Sequence, residues 1–122
     1  MKMKIVALNI TAVAVAFLVM SATFVTNGWN IPADYKTKKN TVKSDAKSIA
    51  AGKDIYMSKC KSCHADNGKK NGDFTTAAFK AKTDGEIYYM SFIGNGKMPN
   101  FEKKVTSEND RWSVVNFVRS MK

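Results

Sequence analysis

"KCKSCHADNG", residues 59–68, holds both cysteines of the chain and its single histidine within the five positions from Cys60 to His64. Two thiols three residues apart on a turn of helix can each add to one of the two vinyl groups of haem, and the residue that follows then aims its imidazole at the iron. Three other uses of such a cluster fit less well. A redox dithiol would open a helix in a βαβ unit, and no βαβ pattern is present. A structural zinc site needs a fourth ligand, and the chain has no further Cys or His. A simple disulfide in an exported protein leaves His64 unexplained. The stretch therefore reads as a site for one covalently held haem c, with Cys60 and Cys63 consumed as thioethers and His64 as the proximal iron ligand.

Iron held this way has a sixth position, which a methionine thioether can fill. The chain has seven methionines. Met1, Met3 and Met20 belong to an amino-terminal apolar segment, and Met57 lies on the same side as the attachment motif. Met90 and Met121 fall on apolar helical faces and read as core. Met98 differs, because it sits in "GNGKMPNF", residues 94–101, where glycines and Pro99 stop a helix from continuing. On spacing alone, Met98 is either an iron ligand held on a stiff loop or an exposed loop methionine.

Outward from the motif, the run Ile5–Val25 is apolar or small, and no charge falls between Lys4 and Asp34. Signal-peptide apolar regions run about 7–15 residues, and a membrane-spanning helix takes about 20. Residues 1–26 are therefore a signal peptide or an uncleaved membrane anchor. Either reading leaves Lys2 and Lys4 on the cytoplasmic side and sends the rest across, so the expected location is extracytoplasmic, the bacterial periplasm. Residues 27–47 are polar and basic with no clear period, and read as a linker. Trp29 and Ile31 in it have two possible places, the membrane interface or the surface of the domain. Residues 27–122 carry 18 Lys or Arg against 10 Asp or Glu, a balance of +8. That balance suits acidic partner proteins, with a solvated basic face as the plain alternative.

From Ser48 three amphipathic segments follow, with no alternating strand pattern, so residues 48–122 should be an all-α domain. The first helix runs from about Ser48 to Lys59 with Ile49, Gly52 and Tyr56 on one face. Gly52 inside a helix costs about 1 kcal/mol against Ala, which a close backbone approach by another element would explain. In "TDGEIYYMSFIGNG", Thr83 and Glu86 have capping-box spacing, Ile87, Met90 and Ile93 share a face, and Gly94 suits a stop. The last helix begins near Ser107, with Asp110 in its first turn and Val114, Phe117, Val118 and Met121 as its apolar stripe.

With these residues together, residues 48–122 resemble a small mono-haem cytochrome c of the class I, His/Met-ligated type. The resemblance runs through Gly52 to Tyr56, "CKSCH", "TDGEIYYM", "GKMPNF" and "RWSVVNFVRSM" in the family's order. It implies a small helical domain around haem and a one-electron carrier between Fe(II) and Fe(III), not an enzyme. It makes Met98 the sixth ligand and packs Gly52 and Tyr56 against Val114 and Phe117. It also implies a monomer that passes electrons between an acidic donor and an acidic acceptor, with no nucleic acid involved. Two alternatives stay open: a haem-based sensor with a labile Met98, and the haem module of a larger oxidase or reductase complex. One departure stands out. Family members commonly place a proline after the histidine, whose carbonyl accepts from the far imidazole nitrogen, and this sequence has none between His64 and Pro99. Some carbonyl in the neighbourhood of Gly72 or Asp73 is expected to serve instead, the residue itself being left unassigned.

Overall fold

The computed structural model describes residues 29–122; the apolar segment read as a signal or anchor lies outside them. The described residues form six helices and no strand: α1 (Ala33–Lys36), α2 (Ala46–Lys59), α3 (Lys61–His64), α4 (Ala77–Lys80), α5 (Asp84–Tyr88) and α6 (Glu108–Ser120). None of them is long and apolar enough to cross a membrane.

The main packing is α2 against α6. Asp45 caps α2 by accepting from Ser48 N, while the Ser48 hydroxyl accepts from Asp45 N, so the helix starts two residues earlier than the periodicity suggests. Ser107 caps α6 through Asp110 N, as its spacing predicts. A Cβ at position 52 would fall inside the van der Waals radius of the Ser113 carbonyl oxygen, so glycine lets the two backbones meet. One turn on, Tyr56 packs edge-on to Phe117 at 5.2 Å between ring centroids. Trp112, Val114, Val115 and Val118 complete the buried face of α6.

α5 opens with the predicted Thr83–Glu86 capping box. The segment does not stay α-helical to Gly94: it widens into a π-helical turn over Tyr89–Ile93. A π-turn adds a residue per turn and shifts the side chains after it around the axis. Ile87 and Phe92 are buried, whereas Met90 and Ile93 are only partly so.

Residues 27–47 read as a linker from composition, yet residues 31–45 are held to the domain. Ile31 is buried, Tyr35 lies edge-on to Tyr89 at 4.8 Å, and the Thr83 hydroxyl donates to the Lys36 carbonyl at 3.0 Å. Lys38 pairs with Glu108 at 2.9 Å. Asn116, 2 % exposed in the middle of α6, donates to the carbonyls of Val42 and Lys43 and to the Ser48 hydroxyl, and accepts from Asn40. Residues 31–45 are thus a strap fastened across α5 and α6. A few apolar contacts and one buried amide hold it, which a composition dominated by Lys, Thr and Asn conceals. At the other end, the Lys80 ammonium donates to the Arg119 and Met121 carbonyls, and Arg119 pairs with Asp84, closing the C-terminus of α6 over α4 and α5.

Candidate haem-binding site

α2 runs into the attachment motif almost without a break. Cys60 N donates to the Tyr56 carbonyl at 2.8 Å, His64 N to the Cys60 carbonyl at 3.0 Å, and Ala65 N to the Lys61 carbonyl at 2.8 Å. Cys60, Cys63 and His64 therefore share one short helical stretch at the end of α2. The turn stops at Ala65, whose φ is +60°. The Tyr56 hydroxyl donates to the Ala65 carbonyl at 2.6 Å and fixes that exit to α2. Burial, with smaller contributions from Cys60 and Asp66, pushes the Tyr56 phenol up to about 12, so it remains a donor across the physiological range.

The two cysteines are not joined to each other; Cys60 is partly buried and Cys63 exposed. Before it is consumed as a thioether, the Cys60 thiol is pushed up to about 11 by burial, then by the neighbouring Cys63. Imidazole Nδ1 of His64 lies 3.1 Å from the Lys70 carbonyl oxygen. A carbonyl only accepts, so Nδ1 carries the proton and Nε2 keeps its lone pair for a metal. The acceptor that the sequence leaves unassigned in the neighbourhood of Gly72 and Asp73 is thus the Lys70 carbonyl, two residues before Gly72. Positive φ values at Ala65 and Gly68 curl the loop back, and residue 70 returns to the imidazole. Lys70 N donates to the His64 carbonyl at 3.2 Å, and the Asn71 side chain donates to the Cys63 carbonyl at 2.7 Å. Phe74 lies against the imidazole at 5.0 Å between centroids.

Met98 is half-buried on the loop that follows the π-turn. Its carbonyl accepts from Asn95 N at 3.1 Å, and its own N–H donates to the Asn95 side chain at 3.4 Å. Gly94, with φ +75°, passes so close to the Met98 carbonyl that a Cβ there would overlap it. Phe101 N returns to the Phe92 carbonyl at 2.8 Å and closes the loop. Downstream, the Arg111 guanidinium donates to the Val105 and Thr106 carbonyls and to the Tyr88 hydroxyl, tying the segment beyond the loop to α5 and α6. The loop that offers the thioether is thus fixed at both ends.

The donor set fits haem c. Two cysteine sulfurs sit on one turn beside an imidazole whose far nitrogen is already engaged, and Met98 lies on a separate fixed loop. Lys70, Asn71 and Phe74 escaped the sequence reading. The first acts through its backbone, the second through a local left-handed turn, and the third lies ten residues past the histidine in a stretch with no period.

Fold and donor set together define a small mono-haem c-type cytochrome. The family model for cytochrome c oxidase, cbb3-type, subunit III matches residues 47–118, and the chain belongs to that family. The crystal structure of cytochrome cL from the marine methylotrophic bacterium Methylophaga aminisulfidivorans is similar in fold. It is 20 % identical, with a TM-score of 0.57 over 80 % of this chain and 71 % of that one. No curated protein sequence matches the chain. Membership brings covalently bound haem c with its iron, and the chain is a haem-based electron carrier.

Proposed function

We propose that the chain takes one electron at a time from an extracytoplasmic donor and passes it to an acceptor, without binding substrate at iron. Cys60 and Cys63 hold the haem as thioethers, His64 Nε2 is the proximal ligand and Met98 is the sixth. The observation that carries this is the engaged His64 Nδ1, which leaves Nε2 as the coordinating nitrogen. When bound, haem c supplies the ferrous/ferric couple. The chain's part is to set that couple: the soft thioether of Met98 favours ferrous iron and raises the potential. The fixed loop keeps the sixth position closed. Replacing Met98 with Ala is expected to open the iron to carbon monoxide and cyanide and to lower the midpoint potential. If the unmutated ferrous protein bound carbon monoxide readily, a sensor with a labile Met98 would be the better reading.

The family's name also favours a second reading at the level of assembly, in which this carrier serves as the haem module of a larger oxidase. The partner in either case is an acidic surface. Lys59, Lys61, Lys97, Lys103 and Lys104 are exposed beside the attachment turn and the Met98 loop. Electrostatic steering there makes the transfer rate fall as salt rises, since screening shortens from about 30 Å at 0.01 M to about 10 Å at 0.1 M. Lys61→Glu or Lys97→Glu should slow transfer to the native partner at low salt, and Lys36→Glu on the strap should do much less. A rate that is flat with ionic strength leaves these lysines as a solvated face.

A further inference from the structure

We propose that Asn71 is a positioning residue for the proximal ligand: by holding the Cys63 carbonyl it fixes the Lys70 carbonyl against His64 Nδ1. The inference rests on the reading of His64 as the iron ligand and goes beyond it, to what sets that ligand's basicity.

The Lys70 carbonyl is the one partner of the far imidazole nitrogen, and it belongs to an exposed loop with no helix or strand to hold it. No proline lies between His64 and Pro99 to stiffen the backbone. The carbonyl of Lys70 and the N–H of Asn71 share one rigid peptide plane, so whatever fixes Asn71 fixes the direction of that carbonyl. Two features fix Asn71. Its φ of +54° is a left-handed conformation that asparagine tolerates better than most residues. Its carboxamide then donates to the Cys63 carbonyl at 2.7 Å. That carbonyl shares its peptide plane with His64 N–H. A single side chain therefore ties the plane that presents the acceptor to the plane between the second attachment cysteine and the ligand histidine. Lys70 N, donating to the His64 carbonyl at 3.2 Å, closes the same ring from the other side.

The consequence is electronic. A hydrogen bond given by Nδ1–H makes the imidazole a stronger donor, which favours ferric iron and lowers the potential. Freed from Asn71, the Lys70 carbonyl samples other directions, the bond is made for less of the time, and the potential rises.

The test uses the holoprotein with Asn71→Ala and Asn71→Gly. Glycine keeps the positive φ without strain and removes only the donor, whereas alanine loses both. Both variants should keep covalent haem and the Met98-ligated spectrum, show a raised midpoint potential, and exchange the His64 Nδ1 proton with solvent about fivefold faster in the ferrous state, the effect of one lost hydrogen bond. A glycine variant with the unmutated potential and exchange rate would overturn the proposal, and the residue would matter only for its backbone conformation. If the alanine variant does not fold, the glycine variant decides alone. Failure of the underlying reading shows earlier and elsewhere: an unmutated protein with no exchangeable axial-imidazole proton means that His64 is not the ligand.

Discussion

Gly52→Val is expected to prevent the domain from reaching its native state. The hydrogen that glycine carries faces the Ser113 carbonyl, and a Cβ in its place would sit inside that oxygen, with the Ser113 carbonyl carbon and Val114 N close behind. These are backbone atoms of a helix, so no side chain can swing away to make room. Small-to-large changes in packed cores typically cost about 1–3 kcal/mol when side chains absorb the strain. Here the crossing itself must open, and with it the contacts of Tyr56, Val114 and Phe117. Even Gly52→Ala, which gains about 1 kcal/mol in helix propensity, should destabilise on balance. A small domain has roughly 5–15 kcal/mol in all, so the alanine variant should show a clearly lowered denaturation midpoint as holoprotein, and the valine variant little soluble haem protein. A stabilised Gly52→Ala would mean that the helices do not meet at this point.

The legibility of the chain follows from how local each determinant is. The attachment turn was readable because its chemistry depends on residue types at fixed spacing, and Ser107 and Thr83 because caps act within three residues. Gly52 was readable as an anomaly, a bad helix residue that needed a reason, and the crossing supplied it. The strap was not readable. Its docking depends on Asn116, a polar residue on an otherwise apolar helix, meeting backbone carbonyls more than seventy positions away in sequence. The π-turn was equally hidden, since a single wide turn leaves no periodic trace in so short a segment. The acceptor for His64 was legible only as a neighbourhood, with no residue assigned. Counting along the chain cannot foresee how far a run of left-handed residues will curl it back.

Cys60→Ser combined with Cys63→Ser is expected to remove the covalent haem entirely. The unmutated chain should carry peroxidase-active haem through denaturing electrophoresis, and the double variant none. The two thiols are not equivalent, which makes the single variants informative. Cys60 is partly buried at the end of α2, packed against the core, and Cys63 is exposed on the outer side of the turn. Each single variant should keep one thioether and a stained band, with Cys60→Ser the more damaging because it also places a hydroxyl where a thiol packs as a small apolar group. In the double variant His64 and Met98 remain, so haem can still bind by coordination. That binding must now pay the association entropy that the covalent links had removed by raising the effective concentration of haem at the site. A domain this short buries too little apolar surface to be robust by itself, and the reconstituted variant should therefore melt at a temperature that depends on free haem concentration, whereas the unmutated protein should not. Release of all haem from the unmutated chain on denaturation would refute thioether attachment and leave Cys60 and Cys63 in need of another role.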